Sequence, residues 1–373
     1  MTLRRVAVFG AGNIGRGLLG WLFGRAGWEV VFVDVFPELV DLINRECQYR
    51  VIEVGAEGSF TQLIEGVTAV NGLEDEAIAV TASAEVVCTA VGAGILDRVA
   101  PTIAAALSRS DHRIRNVLAC ENADPNSALL LQHVEGTMGA RPPGVGFPET
   151  LVDRMVPGST GEGLDVEVEA RFDFKVAKEA WIGEDPGVPG VELVGNLGLY
   201  RTRKLWLVNG LHAAGAFLGW HAGHQTVAQA VSDPSIRRRL EEIAITMAAV
   251  LSAQLEDWTA EELADYGRYN LQRFESTTLV DPIRRVARNP LRKLGPTERL
   301  VSPAREAVRQ GLPSDALCDA IVAGLSLDDS RVEGMDEMRH ALASDGWRSV
   351  LNLGEADRAL AEMLENRMAE RAI

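Results

Sequence analysis

The chain has 373 residues, 47% of them hydrophobic and 24% charged, and a formal net charge of −16. That length suits two domains rather than one core, and the composition is ordinary for a water-soluble globular protein. The acidic balance argues against a nucleic-acid surface but leaves room for a local basic pocket.

RRVAVFG reads as a short buried strand, and GAGNIGRG follows it at once. Gly10, Gly12 and Gly15, with Asn13 and Ile14 between them, make the pattern GxGxxG ahead of an apolar helix closed by Gly27. The first glycine permits the tight turn, the second lets a pyrophosphate approach the backbone, and the third lets the helix pack close to the strand. The phosphates then face free N–H groups at the helix N-terminus. WEVVFVDV is a second strand reaching Asp34, 19 residues after Gly15. A carboxylate there accepts hydrogen bonds from the adenosine ribose and repels a 2′-phosphate, so the expected cofactor is NAD rather than NADP. The alternative is a Gly-rich turn in an α/β domain that holds no nucleotide.

PELVDLINR is helical, and YRVIEV and LIEGVTAV read as strands of an inserted hairpin. EVVCTAVG is a buried strand whose end brings Val91 to the cofactor and whose trailing Gly92 and Gly94 let the backbone approach it, and ILDRVAPTIAAAL is an amphipathic helix. NVLACEN delivers Glu121 and Asn122 to the carboxyl edge of the sheet, where such sheets bind ligands. Asn122 fits a substrate contact or a turn residue beside Pro125. VGFPETLVDRMVP closes the cofactor half and sets Asp153 and Arg154 in an apolar frame, where a structural Asp–Arg pair is one reading. DVEVEARFDFKV alternates apolar and polar residues, as a half-exposed strand with a solvated face does. GEDPGVPG is a Gly/Pro break. The expected fold is therefore an α/β Rossmann domain that binds NAD, residues 1–190, followed by a mostly α-helical substrate domain, residues 191–373.

After the break nearly everything has helical period. LWLVNGLHAAGAFLGWHA is apolar yet polar side chains punctuate it. In an α-helix Asn209 lies about 140° and His212 about 80° round from Lys204, so all three can point into one sector. Burial disfavours an ammonium, which suits a lysine that accepts the proton of an alcohol. Asn209 and His212 can hold the oxygen as charge develops on it. The bland alternative is a core helix with a lysine at its solvent edge. Further on, DPIRRVARNPLRKL gathers Arg284, Arg285, Arg288, Arg292 and Lys293, either an anion site or a solvated helix face, with a bend expected after Asn289 at Pro290. Cys47, Cys88, Cys120 and Cys318 are far apart and form no CxxC pair, as expected of reduced thiols in a cytoplasmic enzyme. The opening apolar run is too short for a signal peptide, and Asn209, His212 and His221 interrupt the run at 205–222, so no membrane span is expected.

GAGNIGRG, TAVG, ACEN, GFPETLVDRMVP, RKLWLVNGLH, AGHQT, RFES and RRVARNPLRKL, in that order, resemble the long-chain polyol dehydrogenases over nearly the whole chain. The resemblance is strongest to the branch that acts on phosphorylated polyols. It implies catalysis in a cleft between the two domains, with Lys204 as general base, Asn209 and His212 on the reacting oxygen, and no metal. It carries substrate contacts to Asn122, Asp153, Arg285 and Lys293, and assigns Arg288 and Arg292 to a phosphate pocket. The implied substrates are the small sugar phosphates mannitol 1-phosphate and fructose 6-phosphate, and the protein is expected to be a monomer or weak homo-oligomer. There are departures. ADPNSA follows ACEN where an Arg-Gly-Thr type of segment is usual in the branch, and Glu149–Thr150 replace a smaller pair. Arg201, Thr202 and Arg203 precede the lysine where some relatives have an acid. A dehydrogenase of an unphosphorylated polyol or sugar-acid alcohol, and a non-catalytic NAD-binding sensor, are the competing readings.

Overall fold

In the computed structural model, residues 4–55, 58–154, 156, 163–254, 258–275 and 281–370 are described. Met155 and Pro157 of GFPETLVDRMVP and Ser276 of RFES lie outside them. The chain divides into two compact units, Met1–Tyr200 and Arg201–Ile373.

The strands of the first unit are β1 (Arg5–Phe9), β2 (Glu29–Asp34), β3 (Gln48–Gly55), β4 (Gly58–Glu65), β5 (Thr68–Asn71), β6 (Val86–Thr89) and β7 (Asn116–Ala119), then β8 (Thr150–Asp153), β9 (Val166–Glu169), β10 (Asp173–Ala177) and β11 (Glu192–Val194). A parallel sheet runs in the order β5-β2-β1-β6-β7. Its central strands are apolar on both sides because both faces are covered. Val6 and Val8 pack with Leu18, Trp21 and Phe32, whereas Ala7 and Phe9 pack with Leu96, Ile103 and Leu130. The strand order reverses between β1 and β6, and their carboxyl ends carry the glycine loop and the Val91–Gly92 segment. In doubly wound sheets that reversal is where ligands bind.

The inserted hairpin is present as β3 and β4, which pair antiparallel, with β9 added parallel to β3. LIEGVTAV is not one strand, however. Gly66 takes a φ of +71° and separates β4 from β5, which joins the main sheet. The alternating stretch 164–179 is also two strands. β9 belongs to the hairpin sheet, while β10 pairs with β8 and β11. Period-2 alternation continues through both strands and cannot reveal the break between them. Nor is the polar face of β10 wholly solvated. Lys175 is buried, with its ammonium 2.5 Å from Glu192 and 3.4 Å from Asp173. β11 follows the Gly/Pro break, so the first unit extends past it to Tyr200.

The second unit is helical. Pro234–Ser252 and Ala260–Phe274 carry buried rows, Leu240, Ile243, Met247 and Leu251 on one and Leu263 and Leu271 on the other. Their starts are set locally: Asp233 accepts the Ser235 N–H at 2.8 Å, and Thr259 makes a reciprocal cap with Glu262. Leu211–His221 is buried almost all round, the pattern of a central helix. Among the described residues no helix is long and apolar enough to cross a membrane.

Candidate active site

In the first unit the chain leaves β1 at Gly10, whose φ is +92° and where a Cβ would lie 2.6 Å from the Ala90 carbonyl oxygen. At Gly15 a Cβ would lie 1.9 Å from the carbonyl oxygen of Gly10, so no residue with a Cβ can stand there without moving the loop. Gly12 is the opposite case: it is exposed, with nothing within 4 Å of the place a Cβ would take. Two glycines thus close the turn and the third leaves its backbone open, which fits a dinucleotide pyrophosphate. The helix that follows begins with a π-helical turn, Gly15–Gly20, before Trp21–Arg25. The Arg16 carbonyl accepts the Trp21 N–H and, at 2.9 Å, the buried Tyr49 hydroxyl. The peptide groups of Ala11 are held at both ends. Its N–H donates to Asp34 Oδ2 at 2.7 Å, and its carbonyl accepts Arg16 Nη1 at 2.5 Å. Asp34 Oδ1 accepts the Phe36 N–H at 3.1 Å. Asp34 is therefore a brace of the glycine loop as well as a carboxylate with lone pairs to spare.

At β6 and β7 the sequence placed Glu121 at the sheet edge without a role. The structure supplies one: its carboxylate accepts the Thr89 hydroxyl at 2.8 Å and the Val91 N–H at 3.1 Å, and so anchors the segment that carries Gly92. Burial pushes the Glu121 carboxyl above the ordinary range, against the pull of these hydrogen bonds. Asn122 is exposed in the loop before the helix Ser127–Met138. The two departures from the family pattern nearby turn out to be partners. Glu149 accepts the N–H groups of Asn126 at 3.0 Å and Ala128 at 2.7 Å at that helix start. The buried Asn126 amide donates to the Thr150 carbonyl at 3.0 Å and accepts the Thr150 N–H at 3.2 Å. Asp153 is half-buried at the end of β8, opposite Asp173. It is not the mate of Arg154, which pairs with Glu53 at 2.7 Å, donates to the carbonyls of Gly17 and Glu169, and lies 4.2 Å from the Trp21 ring centre. Burial pushes the Arg154 guanidinium down to about 10.

In the second unit Lys204 is buried at the end of the helix Leu197–Lys204. The next six residues, Leu205–Gly210, form a π-helical turn rather than an α-helical one. Bonds from i to i+5 bring residue i+5 over residue i, so Asn209 comes one turn above Lys204 instead of about 140° round from it. The widened turn corrects the angles expected for a regular helix and favours the grouping those angles only allowed. Gly210 is required here, since a Cβ would lie 2.7 Å from the Arg299 carbonyl oxygen. One turn on, His212 Nε2 is 2.9 Å from Asp281 Oδ2, and its ring stacks on Phe274 with centroids 4.6 Å apart. Asp281 Oδ1 accepts Arg285 Nε at 2.8 Å. Burial raises the Asp281 carboxyl, but His212 and Arg285 outweigh it and hold it below the usual carboxylate value. Arg203 lies between Trp258 and Tyr266, 4.6 and 4.4 Å from their ring centres.

The basic segment is bent, but its first helix ends two residues before the break expected after Asn289. Ile283–Ala287 is helical, Arg288 is extended in ψ, Asn289 takes a φ of +53°, and Pro290–Lys293 starts a new turn. Arg285, Arg288 and Arg292 consequently share no single helix face. Arg284 is tied to Asp329 at 2.8 Å and Arg285 to Asp281. Arg288 and Arg292 are exposed, and neither makes an ion pair with a described residue. Lys293 is buried, and its ammonium donates to the Arg288 carbonyl. Burial, then Arg299, Arg292 and Arg288, push it down to about 8.

Residues 4–189 match the mannitol dehydrogenase Rossmann domain and residues 196–342 the mannitol dehydrogenase C-terminal domain. The chain belongs to the mannitol dehydrogenase family. It is accordingly a polyol dehydrogenase. A mannitol-1-phosphate 5-dehydrogenase of Geobacillus thermodenitrificans is 39% identical over 360 residues, covering 93% of each chain. One from Brevibacillus brevis is 36% identical, covering 92% of this chain and 91% of its own. A crystal structure of D-sorbitol dehydrogenase in substrate-free form superposes with a TM-score of 0.81 at 17% identity, covering 99% of this chain and 92% of that one, and shares the fold. Within this member of the family, sequence reasoning missed Glu121, Asn126, Phe274, Asp281 and Arg299 as supports. Only Asp281 had a usable cue, as a carboxylate four residues before Arg285.

Proposed function

We propose that this enzyme interconverts mannitol 1-phosphate and fructose 6-phosphate with NAD as hydride carrier. The observation that supports the phosphate is the pair Arg288 and Arg292, in no ion pair with a described residue and electrostatically close to the buried Lys293, in a chain of net charge −16. Cations left unmatched in an acidic protein favour an anionic ligand. The relatives at 36–39% identity are named for the same phosphorylated polyol.

Gly10, Gly12, Asn13, Ile14, Gly15, Asp34, Val91 and Gly92 would hold the cofactor, whose nicotinamide supplies the hydride acceptor when bound. Lys204 takes the hydroxyl proton in polyol oxidation and returns it in ketose reduction. Asn209 and His212 hydrogen-bond the reacting oxygen, where charge builds as the proton leaves before the carbonyl is complete. Asn122, Asp153 and Arg285 contact substrate hydroxyls, and Arg288, Arg292 and Lys293 take the phosphate. The cofactor half is the first unit and the substrate half the second, in a cytoplasmic protein that is monomeric or weakly self-associating. The test is an assay of NADH oxidation with fructose 6-phosphate against fructose. Sugar phosphate should win by orders of magnitude, and equal rates would move the enzyme to an unphosphorylated polyol.

A further inference from the structure

We propose that Asp281 is the positioning residue for His212, holding the imidazole by its Nε2–H and so making Nδ1 the ring nitrogen offered to substrate. The inference rests on the reading of His212 as a ligand of the substrate and deepens it. Imidazole nitrogens are not equivalent, and the partner of one fixes what the other can do. An ionised carboxylate can only accept, so at 2.9 Å from Asp281 Oδ2 the Nε2 atom is the donor. The neutral ring then carries a lone pair at Nδ1, and it is the protonated ring, its charge balanced by Asp281, whose Nδ1–H donates to the reacting oxygen.

Asp281 has little freedom to present its carboxylate otherwise. Its carbonyl accepts the Val227 N–H at 3.0 Å, and the Ile283 N–H donates to the Gln225 carbonyl at 3.0 Å. These bonds flank a short β-bridge between Thr226 and Pro282. The second carboxylate oxygen is held by Arg285 Nε at 2.8 Å, from the first turn of the basic segment. On the other side the His212 ring lies against Phe274, tilted from it by 21°. Backbone, guanidinium and aromatic ring together leave the imidazole one orientation. Nothing in the Lys–Asn–His pattern of the sequence points to this carboxylate, because it arrives from a segment 69 residues downstream of the histidine.

The tautomer can be read directly in the full-length protein by long-range ¹H–¹⁵N correlation with ¹⁵N-labelled histidine, the His212 signal being the one absent from His212→Gln. Wild type should show the proton on Nε2. Asp281→Asn, whose amide can either donate or accept, should lose that preference. Its kcat for fructose 6-phosphate reduction should fall about 100-fold, the scale for losing one aimed hydrogen bond at a reacting centre. The dissociation constant for NADH should stay unchanged, and Asp281→Glu should recover part of kcat. A wild-type ring protonated on Nδ1 alone, or an Asp281→Asn enzyme with wild-type kcat, would overturn the proposal. If wild type fails to reduce fructose 6-phosphate at all, the substrate reading falls, while the tautomer measurement still decides for or against Asp281.

Discussion

On the proposed phosphate reading, Lys293 sets stability against ligand binding at a single residue. Its folded value of about 8 lies below the ordinary 10.5, so between those values the unfolded chain binds a proton that the folded one does not. Stability therefore rises with pH across that window, and below about pH 8 the folded protein carries an unfavourable buried charge. We expect Lys293→Met to stabilise the fold at pH 7 by up to about 3 kcal/mol, less the lost bond to the Arg288 carbonyl, which a higher melting temperature would show. The gain should shrink towards pH 10.5, and a lower melting temperature at pH 7 would refute this account. The same variant should bind fructose 6-phosphate poorly. Arg292 is exposed, so Arg292→Ala should raise the KM for sugar phosphate about 10- to 100-fold, leave any activity on plain ketose alone, and lose part of its effect at high salt. Lys204→Ala should cost about 10²–10⁴-fold in turnover while NADH still binds, as fluorescence titration can show.

At the scale of elements, each candidate cluster adjoins a π-helical turn, Gly15–Gly20 in one and Leu205–Gly210 in the other. A glycine in each lies where a Cβ would clash with a neighbour. At Gly20 a Cβ would meet the Tyr49 hydroxyl at 2.5 Å and the Phe32 ring at 2.7 Å. Gly20→Ala should destabilise the first unit by about 1–3 kcal/mol, the usual cost of overpacking, and weaken NADH binding. A denaturant midpoint equal to wild type would show that the turn can relax. The brace at Asp34 bears on cofactor choice in a similar way. Because it accepts the Ala11 and Phe36 N–H groups, Asp34→Ala should not simply admit NADPH. It should loosen the glycine loop and lower NADH affinity by about 1–3 kcal/mol, the cost of orphaned donors. An unchanged NADH dissociation constant would reduce Asp34 to its expected role at the ribose.

For the molecule as a whole, the charge is distributed with purpose. Most arginines of the second unit are matched by acids, among them Arg237 with Glu241, Arg305 with Asp357 and Arg367 with Asp315, while Arg288 and Arg292 have no such match among the described residues. Inorganic phosphate should therefore compete with fructose 6-phosphate in steady-state assays and leave the KM for NADH unchanged. Competition against NADH would instead place the anion at the glycine loop.

The parts of this protein that follow from local rules were legible in the sequence. Strand, glycine loop, helix, strand and acid occur in a fixed order because each is dictated by neighbours a few residues away, and the switch to helical period after the Gly/Pro break is of the same kind. Lys204, Asn209 and His212 were readable as a group because they lie on one helix. The family's motifs added the substrate class. What the sequence left open depends on which distant segments meet. Glu121 anchors Val91, Asn126 answers Thr150, and Arg154 takes Glu53 rather than the adjacent Asp153. The π-helical register that stacks Asn209 above Lys204 is not visible in the periodicity either, and Gly210 within it lies close against the Arg299 backbone. Asp281 reaches His212 only because its segment is clamped beside Thr226. Periodicity and propensity describe a residue's own element, whereas these contacts are set by packing between elements, which is why only the tertiary structure could decide them.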